Sequence, residues 1–199
     1  MLSHDNQKTI TTILGALNAA GYEAIEFPLL ELAEYLTDET ALEALTLMKH
    51  SQAVMFVSAN AVRFLAKAIG TQTDWTSHFQ KGARAWCTGP GTAAALVQCG
   101  VPIEQIDQPD LNAKQLDSEA LWEVVSSQVS SGMQVLFVRG ADESGVAAGR
   151  DWLAQELEKS QVVVATIAAY QRSASQLTVA QKTQVNQFID EGAIWLFSS

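Results

Sequence analysis

The chain has 199 residues, 48% of them hydrophobic and 17% charged, which suits one large or two small domains with a substantial core. Its 12 Lys and Arg against 22 Asp and Glu leave a net charge of −10, with no basic patch of the kind a nucleic-acid binder carries. No apolar run approaches the roughly 20 residues of a membrane span, and the polar start does not read as a signal peptide, so a cytoplasmic protein without membrane or nucleic-acid partners is expected.

Residues 8–20 carry Ile10, Ile13, Leu14 and Leu17 at helical spacing, and Gly21 fits the stop. A short strand is expected over residues 23–27, after which Pro28 turns the chain. Thr37 can cap a helix to about Lys49, with Asp38 and Glu39 in its first turn. Residues 53–57 (AVMFV) are a continuous apolar run, the mark of a strand buried on both faces. Ser58 then caps a helix over 59–69, which Gly70 stops. A strand at 84–87, a helix over 91–98 stopped at Gly100, an extended piece at 101–106 and a helix over 118–128 follow. Next come a strand at 134–138 (QVLFV), a helix over 150–159 and a long β-branched stretch over 162–170. Thr178 and Gln181 form a capping box for a helix to Asp190, Gly192 stops it, and residues 193–197 (AIWLF) read as a last strand.

This alternation predicts an α/β fold, a parallel sheet covered by helices. Residues 53–58 and 193–198 share one pattern, an apolar strand followed by serine, which hints at two similar halves. Residues 27–35 and 162–172 have the look of crossings between them, so the middle of the chain is expected to be a domain inserted into another.

Several positions could carry chemistry. Thr88-Gly-Pro-Gly-Thr92 lies between a strand and a helix, where glycines admit a ligand to the backbone and a helix start offers N–H groups to an anion. It is neither a dinucleotide fingerprint nor a phosphate-binding P-loop, and its spacing taken alone favours an ordinary tight turn with Thr92 near the cap. Ser58 and Asn60 open a helix at the carboxyl end of a strand, the edge where open α/β sheets bind ligands, although Ser58 could be an N-cap and nothing more. Arg139 follows the QVLFV strand at the same edge, with Gly149-Arg150 opening the next helix. Such arginines bind carboxylates, or else pair at the surface with Asp142, Glu143 or Asp151. Tyr170 ends a crossing strand as either a packed ring or a usable hydroxyl. His4, His50 and His78 are scattered and expected in solvent, and no histidine neighbours Ser58, so a hydrolase triad is rejected. Cys87 and Cys99 lack metal-ligand spacing, and they read as buried and reduced, so no metal is expected. The tryptophans read as packing residues.

Taken together, Phe27-Pro-Leu-Leu-Glu31, Phe56-Val-Ser-Ala-Asn-Ala-Val62, Gly89-Pro-Gly-Thr-Ala93, Val138-Arg-Gly140 with Gly149-Arg150, Tyr170-Gln-Arg172 and Trp195-Leu-Phe-Ser-Ser199 resemble uroporphyrinogen-III synthase. The six pieces fall in that family's order and spacing. The resemblance implies two flavodoxin-like parallel-sheet domains joined by a two-stranded β ladder, with the site in the cleft between them. On that pattern residues 1–27 and 173–199 form an outer domain, 36–161 an inserted central domain, and 28–35 with 162–172 the connecting strands. The sequence departs from the family in three places. Residues 1–5 stand where a strand ending in Thr-Arg-Pro is usual, the family continues past the final serine pair, and Val57 replaces a frequent threonine. The outer domain is therefore expected to be incomplete and the chain to have little synthase activity.

The implied reaction is cyclisation of hydroxymethylbilane to uroporphyrinogen III, with loss of water and inversion of the last pyrrole ring through a spiro intermediate. Tyr170 is the implied catalytic acid, and Ser58, Asn60, Thr92, Arg139 and Ser198 the implied substrate-binding residues, in a cofactor-free monomer. The rival readings are a non-catalytic remnant of the family and a nucleotide-binding α/β module.

Overall fold

Strand and helix alternate along the chain as their apolar periodicities require, two residues in one and 3.6 in the other. The computed structural model of the protein describes residues 4–27, 29–70, 74–145 and 152–196. In chain order the elements are α1 (His4–Ala19), β1 (Leu30–Glu34), α2 (Asp38–His50), β2 (Ala53–Phe56), α3 (Ala59–Ile69), α4 (Ser77–Gln80) and β3 (Arg84–Cys87). After these come α5 (Pro90–Gln98), β4 (Ile106–Asp107), α6 (Ser118–Val125), β5 (Gln134–Ala141), α7 (Trp152–Lys159), β6 (Val163–Ala174) and α8 (Val179–Asp190). The chain divides into two compact units, one of residues 32–173 and one of residues 1–31 with 174–199.

The larger unit holds nearly all of a six-stranded sheet in the order β1-β6-β5-β2-β3-β4, mostly parallel with one antiparallel pair. The chain starts from β2, moves outward through β3 to β4, and then returns to place β5 on the other side of β2. Its central strands are buried on both faces, and alternate side chains enter two separate cores. Val54, Phe56, Ala85, Cys87, Leu136 and Val138 point to one face, where Met48 of α2, Leu65 of α3 and Leu96 of α5 meet them. Ala53, Met55, Trp86, Val135 and Phe137 point to the other, against Leu121 and Val125 of α6 and Leu153 and Leu157 of α7. Each fully buried Leu, Val or Phe here contributes about 1.5–3 kcal/mol of transfer free energy, which is why the apolar runs rather than helix propensity decide the architecture.

Local signals set the ends of the elements. Thr37 closes a capping box with Thr40 at the start of α2, Ser58 accepts from Ala61 N at the start of α3, and Gly70 ends α3 with φ 71°. The expected extended piece at 101–106 is mostly a 3₁₀ turn, Ile103–Gln105, with only two residues in β4. Arg84 replaces the missing ladder. Its Nε and Nη2 donate to the Asp107 carboxylate at 2.8 and 2.5 Å, and its Nη1 donates to Glu104 O at 2.7 Å. β5 runs to Ala141, three residues beyond its expected end, because β6 pairs with it over that stretch.

The smaller unit contains α1, α8 and the segments beside them. Residues 23–27, expected as a strand, carry no ladder among the described residues, and a strand without a partner leaves its backbone groups unpaired. Instead Tyr22 N bonds Leu17 O and Ala24 N bonds Asn18 Oδ1, so the chain wraps the end of α1. Residues 193–196 likewise form no strand, and the rest of that expected element lies outside the described residues. Phe188 and Trp195 meet edge to face at 6.4 Å, while Ile194 and Leu196 remain 91% and 72% exposed.

Candidate active site at the carboxyl edge of the sheet

The reversal of strand order between β2 and β5 opens the carboxyl ends of these strands to a ligand, since their following helices cover opposite faces. Ser58 stands at this point, one residue past β2 and Val57. Its hydroxyl accepts the Ala61 N–H at 3.1 Å, and it lies 3.2 Å from the Tyr170 hydroxyl, 112 residues away in the chain. One oxygen thus joins the start of α3 to the far part of β6.

Strand alternation alone would put Tyr170 on the wrong face. Ala165, Ile167 and Ala169 of β6 face the core with α3, so Tyr170 should point away. The β5–β6 register breaks there, however, with Arg139 opposite Ala168 and Gly140 opposite Tyr170, so Ala169 is an extra residue. Such a bulge re-aims the following side chain, and Tyr170 joins Ala169 in the core cluster at 4% exposure. Phe64 of α3 stacks on its ring at 5.3 Å with planes 24° apart, and the Arg172 guanidinium lies 5.8 Å from its centroid. Gly140 backs the ring: a Cβ there would sit 2.6 Å from Tyr170 Cζ.

The other expected site residues are distributed unevenly. Asn60 is the second residue of α3, half-buried beside Ser58. Thr92 is the third residue of α5, itself buried, and its N–H bonds Gly89 O at 3.1 Å. Because Pro90 brings no N–H, the start of α5 offers an anion fewer donors than an ordinary helix start. Arg139 is not the surface residue of the simpler reading. It is 4% exposed, and its guanidinium lies over Phe137 at 5.5 Å, on the α6/α7 face and across the sheet from the Ser58–Tyr170 pair. Ser198, Gly149 and Arg150 lie outside the described residues. Phe64 carries no chemical signal of its own, and only the contact with Tyr170 identifies it, while Gly140 stands in the Val138-Arg-Gly140 motif and gains a role only from that contact.

The remaining polar positions belong elsewhere. His78, expected in solvent, is partly buried with Nε2 2.9 Å from Ser51 O and its ring edge on Phe79. Cys87 is fully buried, and removal from water pushes its thiol up to about 11, whereas Cys99 is only half-buried. Among the described residues no group of three His, Cys, Asp or Glu comes together, and no helix is long and apolar enough to cross a membrane. An open depression of about 400 Å³ lined by Gln52, Arg84, Gln128 and Ser130 lies at the amino-terminal ends of β2, β3 and β5. That is the edge opposite Ser58, where parallel sheets do not bind their ligands, and it is not part of the site.

Residues 12–199 match the family model described as uroporphyrinogen-III synthase HemD. No curated protein sequence matches the chain. Among solved structures, a mutant uroporphyrinogen III synthase from the extremely thermophilic bacterium Thermus thermophilus aligns with TM-score 0.60 at 12% identity, covering 92% of this chain and 65% of that one. The wild-type enzyme of the same bacterium aligns with TM-score 0.50 at 15% identity, covering 91% and 64%. These likenesses concern the fold, and the chain spans slightly less than two thirds of the length of either structure. With the family pattern matched from residue 12 to the last residue, the chain belongs to the uroporphyrinogen-III synthase family.

Proposed function

We propose that the protein cyclises hydroxymethylbilane to uroporphyrinogen III, as a lyase of tetrapyrrole (heme) biosynthesis acting as a cytoplasmic monomer. The observation that carries this reading is the Tyr170–Ser58 hydroxyl pair, 3.2 Å apart at the switch point of the sheet in a chain of this family. The reaction calls for no strong nucleophile. The C–O bond of the hydroxymethyl group breaks, the departing oxygen takes a proton and leaves as water, and the pyrrole nitrogen's electrons stabilise the cation left behind. The last ring then attacks through its substituted carbon, which gives the spiro intermediate and finally the inverted ring. What the protein supplies is a proton at one place and a hold on a flexible chain, a problem of position more than of reactivity.

Tyr170 is the proton donor in this scheme. A phenol can donate to the leaving hydroxyl and recover a proton when the macrocycle closes. Ser58 orients it: with one lone pair occupied by Ala61 N–H, its oxygen still has a donor and an acceptor to share with Tyr170. The first N–H groups of α3, those of Ala59 and Asn60, have no acceptor within the helix and suit a substrate carboxylate. Thr92, Arg139 and Ser198 are further proposed contacts for the acetate and propionate groups. Support for the reading comes from the family match and from the hydroxyl pair's place at the edge where such sheets bind ligands.

In a version extended to the length of the solved family structures, replacing Tyr170 by Phe keeps the ring and its stacking on Phe64 but removes the proton. Turnover to the type III isomer should fall about 100-fold or more, the usual range for losing a general acid, with KM little changed. Product isomers are separated by chromatography against the spontaneous type I background. Equal type III turnover by both proteins would remove the hydroxyl from the mechanism.

A further inference from the structure

Three features bear on how Tyr170 reaches Ser58, and each is needed for a different reason. The extra residue Ala169 turns the side chain onto the α3 face. Phe64 then presses on one side of the ring. On the strand side the ring lies against Gly140, where a Cβ would stand 2.6 Å from Cζ, 2.8 Å from Cε2 and 3.0 Å from the hydroxyl oxygen. Real Cβ atoms do not approach so closely, so any side chain at this position displaces the ring. The backbone of Gly140 does not require glycine, since its φ is outside the left-handed region, unlike that of Gly145. Among the described residues, the atoms nearest to such a Cβ all belong to the phenol of Tyr170.

We propose that Gly140 is a positioning residue, whose missing side chain sets the Tyr170 hydroxyl against Ser58. This rests on the proposed role of Tyr170, but its first test does not. The displaced atoms are the far end of a side chain rather than backbone, so Gly140→Ala should fold with the ring moved off Gly140 and the hydroxyl withdrawn from Ser58.

The chain has three tyrosines, so protein labelled with ¹³C at tyrosine Cζ gives three signals, and Tyr170→Phe assigns that of Tyr170. In the parent protein Ser58→Ala should shift the Tyr170 signal, because the hydroxyl loses its partner. In the Gly140→Ala background the signal should already be shifted, and Ser58→Ala should then move it no further. Should Gly140→Ala unfold, Gly140→Ala with Phe64→Leu gives the ring room on its other side, and the same comparison applies. An unshifted Tyr170 signal in the alanine variant, or an undiminished response to Ser58→Ala, overturns the proposal. In turnover, Gly140→Ala should lower kcat about as far as Tyr170→Phe does, about 100-fold, with KM within about twofold and no further loss in the double variant. If Tyr170→Phe leaves turnover unchanged while the spectroscopic result holds, the catalytic reading fails and the positioning of the hydroxyl stands.

Discussion

Ser58 spends one oxygen on two contacts, capping α3 and meeting Tyr170, so its side chain couples the folding of a helix to the placement of the Tyr170 hydroxyl. Cys87, at the end of the neighbouring strand, has the opposite character. It is fully buried, and burial holds its thiol protonated up to about pH 11, against an ordinary value of 9.0. The sign of the effect on stability follows from proton counting. Below pH 9 both folded and unfolded chains keep the proton and the thiol contributes nothing to pH dependence. Between pH 9 and about 11 the unfolded chain releases it and the folded one does not, so stability falls as pH rises. Removing this thiol should therefore flatten the alkaline loss of stability. Urea unfolding at pH 8.5 and 11 should show a drop smaller by on the order of 2 kcal/mol in Cys87→Ala than in the parent. Identical drops in the two proteins would show that the buried thiol does not resist ionisation.

At the level of elements, α3 and α8 are held by different forces. α3 buries Ala61, Val62 and Leu65 against the sheet, and its apolar face carries Phe64 to Tyr170. α8 has a full capping box between Thr178 and Gln181 but no buried residue. Leu65→Ala should thus destabilise the larger unit by about 2–5 kcal/mol, the transfer term plus the cavity it leaves. Thr178→Ala should remove about 1 kcal/mol and do so only locally. Amide hydrogen exchange separates the two. The first variant should speed exchange throughout β2, β3 and β5, the second only within α8. Faster exchange of the central strands in Thr178→Ala would mean that the effect of this cap is not local. The same reasoning accounts for β4, which the side chain of Arg84 holds to β3 where a longer ladder is lacking.

For the molecule as a whole, the net charge of −10 matters to the proposed substrate, whose charged groups are all carboxylates. Like charges repel at long range, so the chain's field slows the encounter, and capture must rely on nearby donors such as the α3 helix start. Salt screens the long-range part beyond about 10 Å at 0.1 M and leaves short contacts largely intact. Raising ionic strength from about 10 mM to about 150 mM, where the screening length shortens severalfold, should accordingly increase kcat/KM for hydroxymethylbilane, not lower it. A fall in kcat/KM over that range would mean that a local cationic surface steers the substrate despite the overall charge.

Much of this was determined by the sequence alone. The AVMFV and QVLFV runs have to be buried on both faces, and the caps Ser58, Thr37 and Thr178 stand one residue before their helices, because a helix start needs an acceptor wherever it occurs. These signals are local, so a single sequence reveals them, and the residue types and positions of Ser58 and Tyr170 mark each as a candidate. Their meeting is not legible in the same way. It depends on one extra residue at Ala169, which reverses the facing that strict alternation assigns to Tyr170, and on a partner strand in which Gly140 leaves the ring its space. The same holds for the strands expected at 23–27 and 193–197, whose composition suits a strand but whose described residues form no ladder. Periodicity states which faces of an element are apolar. Which strand lies beside which, with what register and what bulge, is decided by contacts between residues more than a hundred positions apart, as between Ser58 and Tyr170, and only the folded chain brings those together.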